Sequence, residues 1–278
     1  MNQGTNSGKR EFYYVPSKNQ NKKNKKKKKN RNVPLTVFLI AAAAIIAAVV
    51  LAFAFLRISE VRFDGNRLYT EEKLLEASGI EIGERMYGID KKDIADTIIR
   101  NCPYVKSVRI TRSLPGTLNV KIEEYDAGFY VEIGDEYYVL GENLIVLERE
   151  MNYENVKRRG LILLDAGNIL SAVVGQPLKL AAGSDTETVK NVMSSAVESN
   201  VYGRMTRLNV RDKYNIFAVC DELYKLILGD SRDITVKLNL GGKILEDSMF
   251  DGNVTRAQVD LSDPEECGVI IDNQISFE

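Results

Sequence analysis

Val105–Glu124 reads VKSVRITRSLPGTLNVKIEE, and this stretch decides the fold. Val105–Arg112 and Thr117–Glu124 alternate apolar with polar residues, the period-2 pattern of strands that bury one face. Leu114-Pro115-Gly116 lies between them. Proline presets one turn dihedral and glycine accepts the other, so the two runs should fold back as a hairpin.

Upstream, Asp90 caps an expected helix carrying Ile94, Ile98 and Ile99, and Cys102-Pro103 stops it, since proline cannot continue a helix. Before that, Thr70 caps another. Glu71 and Glu72 favour its positive end, Leu74, Leu75 and Ile80 supply its buried side, and Gly79 ends it. Val61 and Phe63 suit a short strand, closed by the turn Asp64-Gly65-Asn66. The expected order is strand, helix, helix, strand, strand.

Directly before this unit lies LTVFLIAAAAIIAAVVLAFAFL, Leu35–Leu56, with Thr36 its only polar member. At about 1.5 Å per residue this run reaches roughly 33 Å, enough for a hydrocarbon core of about 30 Å. The rivals are a buried core helix and a signal peptide cleaved near Ala52-Phe53-Ala54. The run is too apolar all round for the first and too long for the second. Residues 1–32 hold eleven Lys or Arg against Glu11 alone, about +10 in a chain whose net charge is −1. A basic tail beside an apolar span places residues 1–34 in the cytoplasm and the rest outside. The tail, KNQNKKNKKKKKNRN at its densest, suits anionic membrane lipids; without aromatic interleaving it does not read as a nucleic-acid binder.

Histidine is absent, which removes His triads, imidazole bases and His metal ligands. Cys102, Cys220 and Cys267 have neither metal-site spacing nor an even count. No Walker loop, nucleophile elbow or EF-hand pattern occurs. Glu123-Glu124 and Glu265-Glu266 as wall-cleaving carboxylates are outweighed by the reading of solvated charge. The expectation is no catalytic, metal or cofactor site, and no enzyme.

Several short patterns follow the apolar span in order. They are Phe63-Asp64-Gly65-Asn66; Gly79-Ile80 through Gly83, Tyr87 and Ile89-Asp90; Pro103-Tyr104-Val105; then Val108, Arg112, Pro115, Thr117-Leu118, Val120, Ile122 and Glu123. This succession resembles the POTRA domain of the FtsQ/DivIB family of bacterial cell-division proteins. Here the strand ends Glu123-Glu124-Tyr125-Asp126, without the Arg and Pro often found there. Residues 127–262 resemble that family's β domain: Tyr224–Gly229 (YKLILG), a helix from about 232 to 247 with Lys237-Leu238, then Val254–Leu261 ending Val259-Asp260-Leu261. Within it, a hairpin about Gly134-Asp135 and an Asp185-capped helix to about Ser199 are expected; 140–200 is otherwise hard to read. Residues 263–278 read as a tail, with Val269–Ile271 a candidate extra strand. The fold class is thus α+β: one transmembrane helix (35–56), a POTRA domain (57–126) and a mixed β domain (127–262).

The resemblance implies a non-enzymatic divisome component at the septum. Its partners would be FtsL-type and FtsB/DivIC-type bitopic proteins and, through them, the septal wall synthase. The alternatives are an anchored wall-active enzyme, a POTRA-type polypeptide transporter, or a sporulation-stage paralogue. If Val254–Leu261 lies at a sheet edge, it is a template for strand addition. The family's partner site then transfers to Thr255, Arg256, Gln258 and Asp260, with Lys237 on the preceding helix. The plainer alternative makes Arg256, Asp260 and Lys237 solvated charges; the helix at Lys91–Arg100 is the next candidate surface.

The topology has a direct test. In intact cells, cysteines placed in residues 1–34 should resist an impermeant thiol reagent while a cysteine at Ser184 is labelled; a labelled tail would overturn the orientation.

Overall fold

The computed structural model describes residues 32–181, 185–247 and 256–277, together with Glu11 and Tyr13. The Lys-rich run and Thr255 lie outside the described residues. The apolar run forms α1 (Asn32–Phe55), of which Leu35–Phe53 is long and apolar enough to cross a membrane. Leu35, Phe38, Ile40 and Ile46 are exposed, as a lipid-facing helix requires. The chain divides into two compact units, Met1–Ala52 and Phe53–Glu278.

The second unit begins with β1 (Glu60–Asp64), α2 (Glu71–Ser78), α3 (Lys91–Asn101), β2 (Val105–Ser113) and β3 (Thr117–Glu124). This is the expected order. β3 is the central strand, antiparallel to β2 and parallel to β1. Its alternation places Leu118, Val120 and Ile122 in one core with Leu74, Ile98, Cys102 and Ile110. Both expected caps form: Thr70 Oγ1 accepts from the Lys73 N–H (3.3 Å) and Asp90 Oδ1 from the Lys92 N–H (2.8 Å). Gly65 sits at φ +89°, where a Cβ would fall 2.2 Å from the Ile122 carbonyl oxygen, so the turn after β1 needs glycine.

Arg112 is structural, and so is Glu124, which the sequence reads as solvated. Arg112 donates to the carbonyls of Met86 and Ile89, both at 2.9 Å, and lies 5.1 Å from the Tyr87 ring centroid. It therefore clamps the Gly83–Ile89 stretch onto the hairpin. The Glu124 side chain is 0% exposed. Its carboxylate accepts the N–H groups of Arg67 and Leu68 at 3.0 Å and of Tyr69 at 3.4 Å. A loop whose backbone donors are turned inward needs such an acceptor, because an unpaired buried N–H is costly.

The rest of the chain builds a nine-stranded mixed sheet. Its elements are β4 (Phe129–Ile133), β5 (Glu136–Leu140), β6 (Val146–Glu150), α4 (Tyr153–Arg158), β7 (Ile162–Asp165), the small hairpin β8 (Ile169–Ser171) and β9 (Lys179–Leu180), α5 (Thr186–Glu198), β10 (Met205–Asn209), β11 (Ile216–Cys220), β12 (Tyr224–Gly229), α6 (Ile234–Leu245), β13 (Ala257–Asp260) and β14 (Gly268–Ile271). The strand order is β14-β13-β12-β11-β10-β7-β4-β5-β6, with β8 and β9 forming a separate pair. α5 and α6 contribute Val192, Met193, Ile234 and Leu238 to a core shared with Leu208, Ile216, Leu226 and Val259. On the opposite face a small cluster of Tyr130, Val139, Val156 and Leu161 gathers by α4. Gly241-Gly242 costs helix propensity but allows close seating. A Cβ at Gly241 would meet Leu226 at 2.8 Å, and one at Gly242 would meet Asn200 at 2.2 Å.

The three thiols are free, with Cys102 and Cys220 buried in different cores. Burial pushes the Cys220 thiol up to about 12, so it is inert at neutral pH.

The adjacent pair Glu123 and Glu124 should separate in a melting experiment. Glu124→Gln should cost about 2–3 kcal/mol, since charged hydrogen bonds to a buried loop are weakened. Glu123→Gln, on the solvent side, should stay within about 0.5 kcal/mol. Equal losses in urea unfolding would show that the loop does not depend on Glu124.

Candidate functional site

The expected partner surface lay on α6 and the strand after it. β13 runs parallel beside β12, with Gln258 opposite Lys225, and antiparallel beside β14, with Gln258 opposite Ile270. It is therefore an interior strand, and the expectation of an edge at Val254–Leu261 is corrected. The physical reason is the β-branched run Val269-Ile270-Ile271, which returns after the turn at Ser262–Cys267 and takes the outer position.

The predicted site residues separate accordingly. Arg256 is exposed just before β13, Gln258 is half-buried, and Asp260 is exposed at the strand's end. The Asp260 carboxylate is used locally, accepting from the Ser262 N–H (3.0 Å) and Oγ (2.6 Å). Lys237 is 3% exposed. Its ammonium donates to the Leu228 carbonyl at 2.7 Å and the Asp230 carbonyl at 3.3 Å, with Asp230 Oδ1 at 3.5 Å. It ties α6 to the end of β12 and offers a partner nothing. A lysine beside four apolar helix residues gives no sign from sequence that its tip is turned inward.

What sequence reading missed is the edge that is open. The Asp272 N–H donates to the Arg256 carbonyl at 3.3 Å. Backbone groups alternate sides along an antiparallel strand, so Gly268 and Ile270 face β13 while Val269 and Ile271 aim N–H and C=O outward. Val269, Ile270 and Ile271 are 38%, 58% and 52% exposed, and the strand has no charged residue or proline. Such a strand is an unblunted template for pairing.

A model of the POTRA domain, FtsQ-type, matches residues 56–125, the whole of the first folded part. The cell division protein DivIB of Clostridium botulinum is 28% identical over 217 residues, covering 77% of this chain and 80% of that protein. The chain is similar to the FtsQ and DivIB cell division proteins, and residues 56–125 match their POTRA domain. The cell division protein FtsQ of Corynebacterium glutamicum is 27% identical over 106 residues, 37% of this chain and 47% of that one. A solved structure, the extracytoplasmic domain of DivIB from Geobacillus stearothermophilus, is similar at 14% identity with a TM-score of 0.30, covering 47% of this chain and 99% of that one. This similarity supports a role in bacterial cell division, and among the described residues one helix is long and apolar enough to cross a membrane.

Lys237 and Asp230 make a stability prediction. The Arg232 guanidinium and the Arg232 N–H hold the Asp230 carboxyl down to about 2, with Lys237 adding to the effect. A carboxylate depressed below its ordinary range stabilises the fold above pH of about 4, and that contribution is lost as pH falls toward about 2. Asp230→Asn should lower the melting temperature at pH 7 and flatten its fall between pH 4 and pH 2. Lys237→Met should also destabilise the domain; a stable Lys237→Met variant with lost partner capture would return Lys237 to the surface.

Proposed function

We propose that this chain is a non-enzymatic scaffold of the division complex. The tail at 1–34 lies in the cytoplasm, residues 35–56 cross the membrane, and the POTRA (57–126) and β (127–262) domains stand outside at the septum. There the chain holds other bitopic division proteins of the FtsL and FtsB/DivIC type, and through them acts on the septal wall synthase. β-augmentation is the mode: a partner strand pairs with β14, while side chains at the edge select it.

The observation that supports this is the asymmetry of the two sheet edges. The outer edge of β6 carries Glu148, Arg149 and Glu150, and its start is covered where the Val146 N–H donates to the Gln176 carbonyl (2.9 Å) and the Gly175 N–H to the Val146 carbonyl (2.7 Å). Charge and cover are how proteins blunt an edge. β14 has neither. β13 remains relevant as its support: Arg256, Gln258 and Asp260 lie directly behind the open strand.

Val269→Pro is the matched test. Its N–H points away from β13, so proline removes an outward donor and keeps the β13 ladder. The full chain should fold with an unchanged far-UV spectrum and lose at least tenfold in capture of an FtsB/DivIC-type partner. Ile270→Pro, which breaks the inner ladder, should instead lower stability. Full capture by the folded Val269→Pro variant would move the partner site away from β14.

A further inference from the structure

The face of the large sheet opposite α5 and α6 carries a row of cations beyond α4. In register across β10, β11, β12 and β13 stand Arg207, Val219, Lys225 and Gln258, with Arg256 two residues before Gln258. After β14 the chain turns, the Gln274 N–H donating to Asp272 Oδ1 at 2.9 Å, and runs back over this face. Three successive carbonyls are then gripped. Arg256 Nη1 donates to Ile275 (3.0 Å), Lys225 Nζ to Ser276 (3.2 Å) and Arg207 Nη1 to Phe277 (3.0 Å). The Arg256 guanidinium lies 4.8 Å from the Phe277 ring centroid, and the Lys225 ammonium lies 4.1 Å from that of Phe217.

This grip uses neutral acceptors. All three side chains contact main-chain carbonyls, and among the described residues none of the three forms an ion pair with a carboxylate. Burial, with Arg207 nearby, lowers the Lys225 pKa below its ordinary value. Hydrogen bonds to a carboxylate are roughly twice as strong as those to a neutral acceptor. The strap also leaves room. A groove of about 690 Å³ continues past Phe277, lined among others by Tyr153, Lys157, Arg204 and Arg207, with Asp221 and Glu222 also on its wall.

We propose that Arg256, Lys225 and Arg207 form a docking row for an extended acidic segment of a partner protein, and that residues 275–277 are its displaceable occupant in this chain. The strap shows how an extended backbone lies there. A tethered occupant competes at an effective concentration on the order of millimolar, so it holds the row closed against weak ligands. A segment offering carboxylates would place charge where residues 275–277 offer only neutral carbonyls. This surface is distinct from the β14 edge, and the two can be separated.

The test uses the full chain in detergent micelles and a fluorescent peptide, Glu-Thr-Glu-Phe-Glu-Thr-Glu, followed by anisotropy. Truncation after Gln274 removes the three gripped carbonyls but keeps β14. It should tighten binding at least tenfold. Phe277→Ala, which loosens the strap at full length, should tighten it about threefold. Adding Arg207→Gln, Lys225→Gln and Arg256→Gln to the truncated chain should abolish the gain. The Lys-rich tail is present in every variant, so binding to it cancels. Adding Val269→Pro to the truncated chain should leave the gain intact, which separates this surface from the edge reading. The proposal is overturned if both loosened variants bind no more tightly than the parent, or if the gain survives loss of the three cations. A gain for polyglycerol phosphate equal to that for the peptide would also overturn it, assigning the row to anionic polymers.

Discussion

The large sheet has nine strands but only two long helices, and both lie on one face. That imbalance governs the domain. Val192, Met193, Ile234 and Leu238 from α5 and α6 close one side of the sheet into a core. The other side must be covered by whatever the chain has left. At one end this is α4 with Val156, which meets Tyr130 and Val139. At the other it is the returning segment after β14, held by three long cationic side chains rather than by apolar packing. Phe217 and Val219 on that face are 5% and 3% exposed, so cover is in place and is not supplied by a helix.

The same economy sets the edges. An open sheet ends in two rows of unpaired backbone groups, and each must be managed. β6 is managed by charge and by the segment at 175–178, whereas β14 is left apolar and accessible. The protein therefore presents one protected and one open edge.

The POTRA unit solves a different problem, the closure of loops around a three-stranded sheet. Its solution is buried polar side chains that end backbone hydrogen bonds: Glu124 for the loop at 67–69 and Arg112 for the stretch ending at Ile89. The unit meets the β domain through polar links as well. Arg159 Nη2 donates to the Tyr104 hydroxyl (3.0 Å) while its Nη1 pairs with Glu148, and Lys106 bonds Glu142 at 2.8 Å. Burial at this contact pushes the Tyr104 hydroxyl up to about 12, so it stays protonated and the link is insensitive to ordinary pH.

Local patterning was enough for the elements. The alternation in Val105–Glu124, the caps at Thr70, Asp90 and Asp185, and the apolar run at 35–56 depend on neighbours within a few residues, and each appears where the sequence places it. The partner surface needed more. Whether Val254–Leu261 lies at an edge depends on a strand eight residues further on, and its four residues are too few for periodicity to fix. Whether Lys237 faces water depends on the carbonyls of Leu228 and Asp230, which come from another element. The insertion of β7 between β4 and β10 joins strands 30 and more residues apart through parallel pairings that leave no local trace. Sequence by itself determined the helices and strands of 57–126 and the apolar helix before them, because those are short-range choices of backbone and side-chain period, whereas α4 and β7 to β9, in the stretch at 140–200, carry no such period. Only the tertiary structure decided which strand is outermost, which charges are buried and which face is strapped, because those follow from long-range pairing and from where unsatisfied backbone groups find partners.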